Sequence, residues 1–245
     1  MSEATLVKLS RLVALRRELD VVANNVANSG TRGFKAQRVT FKEYLRPEKR
    51  VDGETRLERP VSLVDASTGF MDMSKGLIES TGNRLNVAIS GNAYFAVQTA
   101  EGERYTRNGA FVLDASGRLV TASGQVVLGT DGPLTLSSSE TDVTINPEGR
   151  VLSSRGIRGQ LKLAAFDAPQ RLVPVGGDLF RSDGQPVLAP TPDVRLVPGA
   201  LERSNVRPVA EMTRLAEITR AYELVATMLK QDEDKDELRK LSDIV

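Results

Sequence analysis

The sequence predicts an α+β fold in which N- and C-terminal helices pack together as a coiled-coil-like layer, with an all-β central domain between them. Two observations carry that expectation. Apolar residues recur at alternating steps of three and four near each end of the chain, the rhythm of a helix that packs along another helix. Through the middle, glycine-bearing turn signals arrive about every 8 to 12 residues between short β-prone runs.

At the N-terminal end, Leu12, Leu19 and Val26 fall at heptad position a, with Leu15 and Val22 at d. Good helix formers flank them throughout, so a helix is expected from about Ala4 to Asn28. It should stop at Asn28-Ser29-Gly30, where short polar residues and glycine favour a C-terminal cap. Asn25 sits beside seam residue Val26, where its amide is placed for an inter-helix contact. Gly33 gives the chain a second place to turn, and Phe34 is placed either to anchor that turn or to serve as a plain buried aromatic.

Residues 31–83 read as a connecting arm. Lys35 to Tyr44 suits extended structure, Pro47 to Pro60 is charged and turn-prone, and Ser62 to Ile78 mixes apolar residues with Gly69 and Gly76. From residue 84 to 198 the pattern is all-β. Strand-like runs at Tyr94 to Thr99, Arg118 to Thr121, Gln125 to Leu128, Val143 to Ile145 and Gln160 to Phe166 are separated by turns such as Asn108-Gly109 and Ser116-Gly117. Pro190, Pro192 and Pro198-Gly199 mark the exit from this domain.

The chain becomes helical again from about Pro208, which suits a first helical turn because proline's missing N–H is not needed there. Leu215, Tyr222 and Leu229 take the a positions and Ile218 and Val225 the d positions, repeating the N-terminal stripe. Ala23 and Ala226 at e and Ala221 at g widen the apolar face, and Val209, Met212 and Ala216 add a flank. From Lys230 to Leu241 dense alternating charge ends the seam, as in a solvated helix end. The expected division is therefore an N-terminal helix in 1–30, an arm in 31–83, a β-domain in 84–198 and a C-terminal helix in 199–245 that pairs with 1–30.

Isolated helices of this length are marginal in water. Both seams are therefore expected to become ordered when neighbouring subunits cover them. An ordinary two-helix layer covering one end of the β-domain fits the same pattern.

Composition narrows the chemistry. The 245 residues carry 33 basic and 32 acidic side chains, which argues against a broad basic footprint for nucleic acid or an anionic membrane and leaves protein as the expected partner. Histidine and cysteine are absent, so imidazole bases, thiolate nucleophiles, disulfides and thiolate or imidazole metal sites are excluded. No phosphate loop, dinucleotide fingerprint or nucleophile elbow occurs, and Asp232-Glu233-Asp234 lacks the glycine and spacing of a calcium loop. No catalytic residue, cofactor or metal is expected. A carboxylate pair acting on cell wall stays open, because carboxylate separation is a three-dimensional property. The N-terminus has no continuous apolar core of the secretory kind and no segment suits a membrane span, so sequence rules alone point to the cytosol.

Three blocks of sequence point to a family. Leu19 to Ala36 contains Ala23-Asn24-Asn25-Val26-Ala27-Asn28 followed by Gly33-Phe34-Lys35. Thr81 to Gly91, with Tyr94-Phe95 and Tyr105-Thr106-Arg107-Asn108-Gly109-Ala110-Phe111, forms the second. Gly199-Ala200-Leu201-Glu202-Arg203-Ser204-Asn205-Val206, with Glu211-Met212 and Arg220-Ala221-Tyr222-Glu223, forms the third. Together they resemble the bacterial flagellar rod and hook proteins, and the segment Leu12 to Asp20 looks most like the proximal rod member. Arg32 stands where that family often has proline, and Asn86 where it often has aspartate.

The resemblance implies a structural, non-enzymatic subunit of the proximal rod. It would polymerise into the hollow drive shaft that transmits torque and passes exported subunits. Its partners would be itself, other rod proteins and the flagellar type III export apparatus, with no nucleic acid and no direct membrane insertion. Its location would be the periplasmic rod, reached without a cleaved signal peptide. The residues expected at the assembly interface are Leu12, Leu15, Leu19, Val22, Asn25, Val26, Phe34, Met212, Leu215, Ile218, Tyr222, Val225 and Leu229. A distal rod or hook subunit, a monomeric β-domain binding module and a cell-wall hydrolase are the alternatives.

Overall fold

A computed structural model describes residues 3–46, 61–137, 140–184, 186–189 and 194–242. The turn-prone stretch expected between Pro47 and Pro60, and the exit prolines Pro190 and Pro192, lie outside the described residues. The fold is α+β, with a helix near each end and β-structure between them in the chain. It divides into two compact units.

The first unit contains helix α1 (Glu3–Ala27), strands β1 (Gln37–Arg46) and β2 (Val61–Met71), and helix α2 (Pro208–Ser242). The two helices run antiparallel, as three cross-helix pairs show. Lys8 Nζ donates to Asp232 Oδ2 at 2.5 Å, Arg214 Nη2 to Glu18 Oε1 at 2.5 Å, and Asn25 Nδ2 to Glu211 Oε2 at 3.2 Å. Pro208 opens α2 and Glu211 lies in its first turn, where a carboxylate is favoured by the helix dipole. At the other helix end, the Asn28 carbonyl accepts the Thr31 amide at 3.1 Å and its side-chain oxygen accepts the Thr31 hydroxyl at 3.1 Å. The segment read as an arm contains a long antiparallel ribbon, in which Gln37 pairs with Met71 and Arg46 with Val61 around a register shift between Thr40 and Lys42. The ribbon packs along α1.

The second unit comprises Asn28–Ala36 and Asp72–Val206. Its centre is a ten-stranded sheet whose ladders are all antiparallel. Tyr94–Thr99 lies within it between Gly102–Thr106 and Val126–Gly129. Four successive buried residues in Tyr94–Thr99 show that both faces are covered. Phe95 and Phe111 meet edge to face at 5.0 Å in a core completed by Val87, Ile89, Val97, Leu119, Val127 and Val151. Most of the turn glycines take the positive φ that their turns require, including Gly91, Gly117 and Gly149. Gly109 is glycine for another reason: a Cβ there would lie 1.8 Å from the Val87 carbonyl oxygen.

The single strand expected from Gln160 to Phe166 is two strands in different sheets. Gly156–Gln160 pairs with Arg150–Ser153, whereas Leu163–Ala165 pairs with Tyr94–Thr99 and Val187–Ala189. Leu161 and Lys162 make the crossing, their amides bonded to the Gly149 and Leu128 carbonyls. Two further pairings fasten the way in to the way out: Ile78–Ser80 with Ala200–Glu202, and Val87–Ser90 with Arg195–Pro198.

Candidate assembly interface

The residues expected at the interface divide by burial. Val22, Ile218 and Val225 are buried within the helical unit. Leu12, Leu15, Leu19, Val26, Leu215, Tyr222 and Leu229 are half-buried, and Met212 is exposed. On α1 the most deeply covered line runs through Ala14, Val22 and Asn25, so the a/d stripe sits to one side of the α1 face that is most covered. Away from these most covered lines, both helices present further apolar side chains to solvent. Val13 is 59% exposed, Leu224 58% and Val209 79%, with Leu9 and Met228 also uncovered.

Asn25 is the polar fixture of this unit. It is fully buried, and its side chain meets Gln37 as a strand neighbour would, accepting the Gln37 amide at 2.8 Å and donating to the Gln37 carbonyl at 2.9 Å. Its amide group also reaches Glu211, whose second oxygen takes Arg38 Nη1 at 3.0 Å. One side chain thus fixes the start of the ribbon and the first turn of α2 to the end of α1.

The other unit holds a buried ionic knot, whose residues were legible only as parts of motifs. Glu202 accepts Lys35 Nζ at 2.8 Å, Arg107 Nε at 2.7 Å and the Gly76 amide at 2.9 Å. Arg107 also donates from Nη1 to the carbonyls of Gly91 and Ala93 and from Nη2 to that of Ile89, at 2.9 to 3.0 Å. Lys35 also donates to the Ser74 carbonyl at 2.7 Å. Burial is the largest influence on the Lys35 ammonium and lowers its pKa against the pull of Glu202. Burial also acts to raise the Glu202 carboxyl, but the charges of Arg107 and Lys35 and the hydrogen bonds it accepts outweigh that and hold it below the usual carboxylate range.

Asn205 works beside the knot. It accepts the Ala36 amide at 2.7 Å and donates to the Asp72 and Ser74 carbonyls at 2.8 and 3.1 Å. Phe34 is buried with Ala36 and Val206, so it packs inside its own chain. Gly33 takes a φ of +70° and lies so close to the Arg107–Asn108 peptide that a Cβ would approach to 2.7 Å. The two sequence departures find local partners: Arg32 pairs with Glu79, which also takes Arg203, and Asn86 donates to the Thr81 hydroxyl, a bond an aspartate cannot make. The knot and its surroundings therefore bring together Gly33 to Ala36, Arg107 and Leu201 to Val206, one piece from each sequence block.

Among the described residues no group of histidine, cysteine and carboxylate side chains could hold a metal ion, and no helix is long and apolar enough to cross a membrane. Paired terminal helices with uncovered apolar faces, joined to a β-unit tied by a buried ionic knot, define an assembly subunit.

Comparison with known proteins identifies the class. Residues 6–35 match the family described as flagella basal body rod protein, 88–153 the flagellar hook protein FlgE/F/G D1 domain, and 197–237 the flagellar basal body rod FlgEFG protein C-terminal region. The chain is 39% identical over 232 residues to the flagellar basal-body rod protein FlgF of Caulobacter vibrioides, covering 94% of this chain and 93% of that one. It is 34% identical over 230 residues to FlgF of Escherichia coli, covering 87% of each. FlgG of Agrobacterium fabrum is 33% identical over 233 residues, covering 86% of this chain and 88% of its own length. The chain belongs to the flagellar basal-body rod protein family, as a structural rod subunit most like FlgF.

Proposed function

We propose that this chain is a subunit of the proximal rod that polymerises through its terminal helices into a hollow drive shaft, transmitting torque and passing exported subunits. The observation that carries the proposal is the incomplete cover of the helical unit: α1 and α2 already pair within one chain, yet each keeps further apolar side chains in solvent. Such faces gain stability only by meeting another surface.

In this reading Val22, Asn25, Ile218 and Val225 hold the helical layer together. The half-buried Leu12, Leu15, Leu19, Val26, Leu215, Tyr222 and Leu229, with exposed Met212, form the rim that a neighbouring subunit covers. Phe34 acts indirectly by setting the turn that follows α1. Of the expected divisions 1–30, 31–83, 84–198 and 199–245, helices Glu3–Ala27 and Pro208–Ser242 form the assembling layer, the ribbon within 37–71 is the arm, and 84–198, with 28–36, 72–83 and 199–206 folded into the same unit, is the β-domain that sets spacing. The partners are other copies and other rod proteins, and delivery is by the flagellar export apparatus, without signal cleavage, to the periplasmic rod. The chain works mechanically and catalyses no reaction.

Leu19→Asp and Met212→Asp are the direct tests, with Ile218→Asp as a variant that also disturbs the buried layer. Each should abolish rod incorporation and swimming while calorimetry finds the β-unit still folded. Normal motility and normal incorporation in all three variants would refute the reading.

A further inference from the structure

The buried members of the large apolar cluster in the β-unit all come from residues 84–198. The rest of that unit, residues 28–36, 72–83 and 199–206, is built differently. These three pieces are joined to one another by the antiparallel pairing of Ile78–Ser80 with Ala200–Glu202, by the Gly33 amide on the Glu202 carbonyl at 2.9 Å, and by Asn205, which holds Ala36, Asp72 and Ser74. They have a small apolar cluster of their own, made of Phe34, Ala36 and Val206. Toward 84–198 they present charge: Arg107, seated on the carbonyls of Ile89, Gly91 and Ala93, reaches across to Glu202 at 2.7 Å.

A seam of this kind opens more readily than an apolar core. Burying an ion pair gains little over leaving both partners hydrated, so on opening water restores most of what closure gave up, whereas opening the large cluster exposes side chains that water does not stabilise. Segments with few buried apolar contacts open at lower free energy than the core beneath them.

The chain path gives this difference a mechanical meaning. Every point at which the chain passes between the two units, 27/28, 36/37, 71/72 and 206/207, lies at an end of one of the three pieces. Releasing them therefore lengthens the chain that links 84–198 to the helical unit while both stay folded.

We propose that residues 28–36, 72–83 and 199–206 form a strap that opens and closes as one unit on a folded 84–198 core, with Arg107 and Glu202 as its catch. In the rod-subunit reading, on which the mechanical role alone rests, the strap is the part of a torque-carrying subunit that yields first.

Hydrogen exchange of the full wild-type chain tests this. The bonded amides of Gly33, Ala36, Gly76 and Arg203 should share one protection, about tenfold or more below that of the core amides of Ala96, Leu119 and Thr121. Two variants separate strap from core. Leu119→Ala weakens the core equally with the strap open or closed, so core protection should fall about tenfold or more while strap protection stays within about twofold. Glu202→Gln weakens the closed strap, from which both openings start, so both sets should lose protection by the same factor. One protection common to strap and core, unrelated values within the strap, equal losses in strap and core with Leu119→Ala, or an unchanged strap with Glu202→Gln would overturn the proposal. The wild-type comparison decides alone where Leu119→Ala does not fold. Because the measurement is made on the separate chain, its failure removes the strap, whereas absence of the chain from basal bodies removes the rod-subunit reading and leaves the strap standing.

Discussion

Replacing Glu202 by alanine should be among the most damaging single changes to the β-unit, and the reason is electrostatic. Glu202 is the carboxylate bonded to Lys35 and Arg107, and the side chains of both cations are at most 4% exposed. Its removal leaves two buried positive charges without a counter-ion and strips the Gly76 amide of its acceptor. Breaking a buried pair from one side costs about 3–5 kcal/mol. For a chain of this size each kcal/mol lowers Tm by about 2–4 °C, so the expected drop is about 6–20 °C. Lys35→Met acts on the same knot with a different outcome. The carboxylate keeps Arg107 and the Gly76 amide, the Ser74 carbonyl keeps Asn205 as donor, and the cost of burying an ammonium disappears. Its loss should stay within about 2 kcal/mol. Calorimetry is the suitable assay, since the chain has no tryptophan to report by fluorescence. A Glu202→Ala drop below about 3 °C, or a larger loss for Lys35→Met than for Glu202→Ala, would refute the claim that neutralising charge is what this carboxylate contributes.

Acid should weaken the same unit. The Glu202 carboxyl titrates lower in the folded chain than in the unfolded one, so its contribution is complete above the ordinary glutamate value of about 4.3 and is lost as pH falls through the folded value. Stability curves recorded between pH 5 and pH 2 should show this loss in the wild type and a shallower one in Glu202→Gln. Gly33→Ala combines a left-handed backbone angle with a 2.7 Å approach to the Arg107–Asn108 peptide, and should cost about 2–5 kcal/mol in denaturant titrations; a change under about 1 kcal/mol would show that the turn can move aside. Asn25→Ala removes both side-chain partners of the Gln37 backbone and one from Glu211. The expected loss is about 2–4 kcal/mol, with hydrogen exchange accelerating at Gln37 while amides of the β-unit keep their protection.

Local regularities were the legible part of this chain. The first helix, expected over about Ala4 to Asn28, is found at Glu3–Ala27, and the second begins at Pro208 as expected, because apolar spacing, helix formers and end signals all lie within a few turns of one another. Tyr94–Thr99 was equally plain, an apolar run with glycine turns on either side. The division between Gly156–Gln160 and Leu163–Ala165 was not, since strand-forming residues continue across Leu161 and Lys162 and only their distant partners separate the two ladders. The ribbon of β1 and β2 was hidden for a related reason: its strands do not alternate cleanly, and its register belongs to the pair.

The knot was the least legible feature. Lys35 and Glu202 are 167 residues apart, and Arg107 and Glu202 are 95 apart, so no spacing rule joins them. Their signal lay in the sequence blocks themselves, since a lysine, an arginine and a glutamate stand in three motifs otherwise explained by turns and apolar packing. For the helices, heptad arithmetic identified the stripe but not the face most deeply covered. On α1 that line runs through Ala14 and Asn25, which a search for large apolar residues passes over.

The account depends most on the terminal helices, paired antiparallel within one subunit and covered from outside by its neighbours. A density map of isolated basal bodies, resolved well enough to trace this chain in the rod, tests that directly. It should show α1 and α2 side by side in each copy, with Val13, Val209, Met212 and Leu224 buried against adjacent subunits. Helices that separate within the subunit, or that leave those side chains in solvent while the β-units alone make the contacts, would contradict it.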